Sequence, residues 1–131
     1  MKILLLLFLT IHTILPASQA ICAFGKDVLV HVYNDNLPSN STLKIHCASG
    51  DKELGIHILK PNEDFSWKFC VGFRTKFFCH LWWGSKQRAF DVFTAKPKFN
   101  HNNFWSARAD GIYYSYAEYG PYTKRFNWEN E

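Results

Sequence analysis

Short apolar runs broken by turn residues are the feature that most constrains this chain. From Val28 onward, brief stretches in which apolar and polar side chains alternate are separated by clusters of Asn, Asp, Gly, Pro and Ser. Alternation with a period of two is typical of strands that bury one face, and no long segment keeps a helical period. The pattern predicts an all-β domain of about eight or nine short antiparallel strands, as a β-sandwich, with a closed barrel as the alternative.

The strands can be placed approximately. Residues 28–33, 43–47 and 54–58 alternate as three strands, with "NDNLPSNS" and "ASGDK" as the turns between them. Residues 65–70 and 77–83 resemble a hairpin, and residues 89–94 follow as a further strand. Asp110-Gly111 fits a two-residue hairpin turn that requires positive φ.

The first twenty residues have the features of a secretory signal peptide. Lys2 supplies a positive start, residues 3–14 are almost wholly apolar, and Ser18 and Ala20 are the small residues that signal peptidase prefers. The apolar run is shorter than the ~20 residues that span a bilayer. The sequence therefore predicts a cleaved signal peptide over residues 1–20 and a single secreted, extracellular domain over residues 21–131 without a transmembrane segment.

The charge of the predicted mature chain is small. The whole chain has 15 Lys and Arg residues and 11 Asp and Glu residues. Lys2 is removed with the signal peptide, so 14 positive and 11 negative side chains remain and the net charge is +3. A mildly basic chain favours acidic surfaces such as wall polymers or anionic membranes, but it lacks the electrostatic footprint of a nucleic-acid-binding protein. We therefore expect no nucleic-acid partner.

Four cysteines in a secreted chain predict two disulfides, and three pairings are open. Cys47 and Cys79 are each in phase with the apolar set of their strand, so both sulfurs should enter the core, which makes them plausible mates. Cys70 is out of phase with its strand, and Cys22 could reach it. There is no C-x-x-C and no zinc-finger spacing, which disfavours a cysteine-ligated metal.

Three histidines, His46, His57 and His80, are out of phase with the main apolar set of their strands. On one surface, three imidazoles can bind a metal or shuttle protons, whereas the simpler interpretation is that they are exposed strand residues. We predict no metal and no cofactor.

The sequence gives no catalytic constellation. Every cysteine has a disulfide mate available, and there is no G-x-S-x-G, no H-E-x-x-H and no glycine-rich phosphate loop. The acids that a glycosidase would need all sit in or near turns: Asp51, Glu53, Glu63, Asp64, Asp91 and Asp110. We predict that the chain is not an enzyme.

Two further surface features are Asn40 and the Trp82-Trp83 pair. Asn40-Ser41-Thr42 is a sequon in a predicted turn, so glycosylation at Asn40 is expected. Adjacent tryptophans point to opposite faces of a strand. Either one of them is exposed for stacking on a sugar or anchoring a partner, or each is covered by its own layer.

Four motifs together resemble a known family, the plant self-incompatibility S-protein homologues. "IHCASGDKELGIHIL" resembles that family's H-C-x-S followed by an acidic cluster and L-G, and "FSWKF" resembles its aromatic run. "TKFFCHLWW" is similar to T-x-F-x-C-x-x-W, and "WSARADGIY" is similar to W-x-(I/V)-x-x-D-G-(I/L)-Y. In order and spacing these motifs cover almost the whole predicted mature chain.

The resemblance implies a small, cysteine-stabilised secreted β-sandwich with no known enzymatic activity. It implies a core disulfide at Cys47 and Cys79, which leaves Cys22 and Cys70 to pair by elimination. Many members have further cysteines flanking the W-x-(I/V) motif, and this chain has none. The best understood members act as pistil ligands recognised by a receptor on pollen.

We therefore predict a monomeric secreted binding module that is recognised by a cell-surface receptor. Polar loops on a rigid sandwich usually carry recognition, which selects residues 34–41, 48–53, 84–88 and 94–103. The candidate recognition residues in these loops are Asn34, Asp51, Lys52, Glu53, Lys86, Lys96, Lys98 and His101. The alternatives are a defence or carbohydrate-binding protein that uses Lys96, Lys98 and an exposed Trp, and a small hydrolase that uses turn carboxylates.

Overall fold

The computed structural model describes Cys22 and residues 26–131, so the predicted signal peptide lies outside the described residues. The described residues form ten strands and one short 3-10 turn over Pro38–Asn40. The strands are β1 (Asp27–Asn34), β2 (Leu43–Ser49), β3 (Glu53–Leu59), β4 (Asp64–Cys70), β5 (Lys76–Trp83), β6 (Lys86–Thr94), β7 (Asn102–Arg108), β8 (Gly111–Ser115), β9 (Thr123–Phe126) and β10 (Glu129–Asn130).

Two five-stranded sheets form the predicted sandwich. Sheet A has the order β4-β1-β7-β8-β9, and sheet B has the order β10-β6-β5-β2-β3. The all-β prediction is confirmed, with one difference in strand direction: β1 pairs with β7 in parallel, while the other paired strands are antiparallel. Alternation within a strand carries no information about the direction of its neighbour, which is why the sequence did not predict the parallel pair.

The core consists of the inward faces of the two sheets. Burial of alternate side chains along β1, β2 and β5 agrees with the predicted phase of these strands. Trp105 of sheet A donates its indole N–H to the Val92 carbonyl of sheet B at 3.1 Å, which joins the layers by a buried hydrogen bond. The fully buried apolar residues are Val28, Val30, Val32, Leu43, Ile45, Cys47, Cys79, Leu81 and Ile112.

Strand β3 faces the opposite way from the sequence prediction. Ile56 and Ile58 are 60% and 55% exposed, whereas Leu59 is buried and the His57 ring stacks on Phe65 at 3.9 Å. The cause is the pairing with β2, where His57 lies opposite the buried Ile45. Directly opposed residues share a face of the sheet, so the partner strand determines the orientation.

The turn between β7 and β8 is also displaced from its predicted position. Arg108 pairs with Gly111, so Ala109 and Asp110 form the two-residue turn and Gly111 begins β8. A Cβ on Gly111 would lie 2.6 Å from both the Lys124 side chain and the Phe126 carbonyl oxygen. Glycine is therefore required here by the close approach of β9.

The strand directions divide the predicted loops between the two ends of the sandwich. Turn 50–52, loop 71–75 and loop 95–101 lie at one end, which we call the basic end. The connections at residues 35–42, 60–63, 84–85 and 109–110 lie at the other end. The four predicted recognition loops therefore cannot form one surface.

Candidate recognition site

Two disulfides anchor the connections at the basic end. Cys47 and Cys79 are register partners on β2 and β5, with an S–S distance of 2.00 Å. Cys22 is bonded to Cys70 at 1.96 Å, directly before loop 71–75. Both walls of the region between turn 50–52 and loop 71–75 are thus fixed by a covalent link close to the loop.

An open cleft of about 910 Å³ lies between turn 50–52 and loop 71–75. Its aromatic side chains come from the ends of β4 and β5, and its charged side chains come from the turn, the loop and the first residue of β5. The lining includes the aromatics Phe69, Phe77 and Phe78 and the charged residues Asp51, Lys52, Arg74 and Lys76.

The turn that forms one wall of the cleft is held by Ser49. The Ser49 hydroxyl donates to Asp51 at 3.0 Å and accepts the Lys52 backbone N–H at 3.1 Å. The Ser49 backbone N–H donates to the Lys52 carbonyl at 2.8 Å. These bonds close the turn on itself, so the cleft wall is ordered before any partner binds.

The charges around the cleft are predominantly positive. Lys76 lies 3.5 Å from Asp91, and both of these side chains are about half exposed. Lys52 and Arg74 are exposed. In the part of the chain that the structure describes, neither forms a salt bridge, because no carboxylate lies within 4.0 Å of them. An acidic partner segment with an apolar side chain would therefore match both the charge and the aromatic part of the cleft lining.

Glu53, at the start of β3, is engaged in a local network. One carboxylate oxygen accepts the Gly55 backbone N–H at 2.9 Å and lies 2.6 Å from His46 Nε2. The Gly55 N–H, followed by the His46 side chain, lowers the pKa of Glu53. Glu53 therefore stabilises the start of β3 in its ionised form.

The three histidines considered as a metal site are not brought together. His46 and His80 are cross-strand partners on the outer face of sheet B, where His80 stacks on Trp82 at 3.8 Å. His57 lies on the inner side of that sheet. Among Cys22 and residues 26–131, no group of three or more His, Cys, Asp or Glu side chains is arranged to hold a metal ion.

Of the predicted recognition residues, Asn34 is buried and Lys86 lies apart from the rest. Asn34 ends β1 and has no exposed surface, because its side chain bonds to three backbone groups. Lys86 begins β6 at the opposite end, where the loop is only residues 84–85. Asp51 and Lys52 line the cleft, Glu53 follows them, and Lys96, Lys98 and His101 lie on loop 95–101.

A second, smaller pocket of about 280 Å³ lies on the outer face of sheet A. Segment 116–122 forms part of its lining. Tyr119 in this segment is 94% exposed. Burial, with the negative charges of Asp64 and Glu118, raises the pKa of Tyr33 in this pocket to about 12. The lining residues are Tyr33, Asn34, Asp35, Asn62, Ser106, Glu118, Tyr119 and Tyr122.

Phe73, Arg74 and Tyr119 were not predicted from the sequence. Phe73 and Arg74 lie in "VGFRT", which reads only as a turn, and Tyr119 lies in "SYAEYGP" after β8. For Phe73 and Tyr119 the signal is an aromatic side chain placed among turn residues, where no core position is available to bury it. Arg74 has no such signal.

Residues 29–128 match the model of the family described as plant self-incompatibility protein S1. The chain belongs to this family. S-protein homolog 9 of Arabidopsis thaliana is 35% identical over 96 residues, which cover 68% of this chain and 71% of the relative. S-protein homolog 8 of the same plant is 31% identical over 97 residues, which cover 69% and 74%.

A solved structure supports the family assignment at the level of the fold. It is a self-incompatibility protein homologue from a widespread family described as small, highly stable, secreted plant proteins. It superposes with a TM-score of 0.61 at 26% identity and covers 82% of this chain and 100% of its own. As a member of the S1 family, the chain is extracellular. Among the described residues, no helix is long and apolar enough to cross a membrane.

Proposed function

We propose that this S1-family protein is a monomeric, non-enzymatic extracellular signalling ligand, recognised by a cell-surface receptor at the cleft between turn 50–52 and loop 71–75. The observation that carries the proposal is the cleft itself, whose walls are each anchored by a disulfide. A preordered cleft loses little conformational entropy on binding, which favours its use in recognition.

The environment of the acids supports a structural role for them over a catalytic one. The pKa values of Glu53 and Asp110 are lowered by hydrogen bonds, from the Gly55 N–H and the Tyr113 hydroxyl respectively. A general acid in a hydrolase requires a raised pKa. The other turn acids also have local partners: Ser49 for Asp51, the Lys60 N–H for Glu63, His31 for Asp64 and Lys76 for Asp91.

The test is binding of fluorescently labelled protein to intact plant protoplasts. We expect saturable binding that unlabelled protein displaces and that trypsin treatment of the protoplasts abolishes. Lys52→Glu and Arg74→Glu should each weaken binding by about tenfold or more, because they reverse the charge beside the cleft. Lys60→Glu, at the opposite end, is the matched control and should bind like the wild type.

Two outcomes would overturn this assignment. Wild-type protein that binds protoplasts without saturation has no receptor there, and cleft variants that bind like the Lys60→Glu control place the contact elsewhere. The tissue of expression bears on the biological process, since pistil-restricted expression would favour pollen recognition and root or seed expression would not.

The pocket on sheet A favours a second function, carbohydrate binding. Tyr119 offers an exposed ring for stacking, and Asp35, Asn62 and Glu118 supply polar atoms beside it. Affinity electrophoresis in gels that contain plant wall polysaccharides tests this function. Retardation of the wild type that disappears in Tyr119→Ala would support it, and equal mobility with and without polysaccharide would exclude it for the polymers used.

A further inference from the structure

Phe73 is the most exposed large apolar side chain among the described residues. It lies at the tip of loop 71–75 and has 103% of its reference surface in contact with solvent. The loop is ordered around it, since the Gly72 N–H donates to the Thr75 hydroxyl at 2.7 Å and the Val71 N–H donates to the Lys26 carbonyl at 3.0 Å. A rigid loop that holds a phenyl ring in water indicates a surface that receives the ring.

The ring stands beside an apolar groove of about 410 Å³ that loop 71–75 shares with residues 95–99. The two segments are joined by a hydrogen bond from the Ala95 N–H to the Thr75 carbonyl at 2.8 Å. The groove is separate from the receptor cleft and lies on the other side of loop 71–75. The apolar part of its lining is formed by Val71, Phe73, Ala95, Pro97 and Phe99.

The charged side chains that line this groove are lysines, and the exposed Asp27 follows Lys26 in the chain without lining the groove. Lys26 and Lys96 line it, and Lys98 is exposed on the same segment. Neither residues 71–75 nor residues 95–101 contain an acid. In the described part of the chain, none of the three lysines is within 4.0 Å of a carboxylate. The groove, Phe73 and these lysines together are called the apolar-cationic tip.

We propose that the apolar-cationic tip docks on a bilayer that contains anionic phospholipids. Phe73 would enter the boundary between headgroups and acyl chains, while the three lysines remain at headgroup level. Charge complementarity selects an anionic surface, since each lysine near such a surface adds attraction. A protruding ring surrounded by cations is complementary to a deformable surface, which needs no preformed pocket to accept the ring.

Co-sedimentation of the folded protein with large unilamellar vesicles tests the proposal. Vesicles of phosphatidylcholine with 30% phosphatidylglycerol should bind the protein, and vesicles of phosphatidylcholine alone should bind it much less. Lys96→Glu should lower the partition coefficient roughly fivefold to tenfold, and high salt should have a similar effect. Phe73→Ser should also weaken binding, and Phe73→Trp should be quenched by brominated lipid beyond the quenching of wild-type protein.

The controls are Lys60→Glu for charge and Ile56→Ser for loss of an exposed apolar side chain, and both should bind vesicles like the wild type. Circular dichroism of every variant excludes misfolding. Equal binding by Phe73→Ser and wild type, or no excess quenching of Phe73→Trp, would overturn insertion. Binding to polygalacturonate but not to vesicles would assign the tip to an acidic polymer instead. Since the vesicles contain no protein, these results are independent of the receptor test.

Discussion

At the scale of single residues, Asn34 shows how one polar side chain can organise three segments. Its amide N–H groups donate to the Ser41 and Leu59 carbonyls at 2.9 and 3.0 Å, and its oxygen accepts the Leu37 N–H at 3.1 Å. It therefore holds the end of β1, the following connection and the end of β3 in one place. A buried side chain with all of these bonds has a structural role, because its polar atoms are already paired within the chain.

We expect Asn34→Ala to lower the free energy of unfolding by about 3 kcal/mol, because three backbone groups lose a partner in the interior. Urea unfolding measures this change. Asn127→Ala, at an exposed position, is the control and should change the free energy by less than about 0.5 kcal/mol. A loss at Asn34 no larger than at Asn127 would contradict this role.

Glu53 predicts a pH dependence of stability. Its pKa is lowered in the folded state by the Gly55 N–H and by His46, so the ionised form is the one that the fold favours. The stabilisation is present above the pKa of the unfolded chain and is lost as pH falls through the lowered folded pKa. Glu53→Gln should therefore have a lower Tm than wild type at neutral pH, and the difference should vanish in strong acid.

Scanning calorimetry between neutral and strongly acidic pH measures this difference. Glu131→Gln is the matched control, because Glu131 is exposed and the replacement is the same. A Tm difference between Glu53→Gln and wild type that is constant over the whole pH range would show that the ionisation of Glu53 is not responsible.

At the scale of elements, β3 is the strand whose orientation the pairing determines. It is the edge of sheet B, with Ile56 and Ile58 turned toward solvent and Leu59 turned toward the core. Ile58→Thr should therefore change the free energy of unfolding by less than about 0.5 kcal/mol. Leu59→Ala should cost about 2 to 4 kcal/mol, because it leaves a cavity in the core.

Chemical denaturation of the two variants side by side measures both values. The sequence-based orientation of β3, with Ile58 inward, requires the opposite order of stabilities. If Ile58→Thr were the more destabilising change, Ile58 and not Leu59 would face the core.

The elements were predictable where one face of a strand is buried in the core. Val28, Val30 and Val32 show this, because burial of every second residue leaves a direct trace in the sequence. At β3 the same pattern gave the wrong orientation, because Ile56 and Ile58 alternate like core residues although both lie on the exposed face. Lys52 and Lys96 could be predicted as surface candidates because they lie in polar turns. Phe73 could not, because a single aromatic residue in a turn belongs to no repeating pattern. The pairing of β1 with β7 depends on residues far apart in sequence, which local patterns do not specify.

At the scale of the whole molecule, the two ends of the sandwich carry different surface features. The basic end carries the cleft and the apolar-cationic tip, while Asn40 is exposed on the 3-10 turn at the other end. We propose that Asn40 is glycosylated, and a glycan there would lie at the opposite end from the cleft and the apolar-cationic tip. Asn40→Gln should then lower the mass of plant-expressed protein by one glycan and leave protoplast and vesicle binding unchanged.

Mass spectrometry before and after glycosidase treatment checks the modification. Thr42→Ala removes the same sequon without altering Asn40 and should give the same mass loss. An unchanged mass after glycosidase treatment of wild-type protein would contradict glycosylation, and weaker binding by both variants would contradict the separation of the ends.

The parallel pair of β1 and β7 has a consequence for the order in which the molecule is assembled. Strands β2, β3, β5 and β6 of sheet B lie within residues 43–94, whereas β1 acquires its second neighbour only when residues 102–108 are available. Contacts between distant residues close slowly, so we expect sheet B to form early and sheet A to be completed last. During secretion, the Cys47–Cys79 bond can form while one side of β1 is still unpaired. A chaperone or oxidase in the secretory pathway would therefore act on a partly folded chain in which β1 is not yet paired with β7.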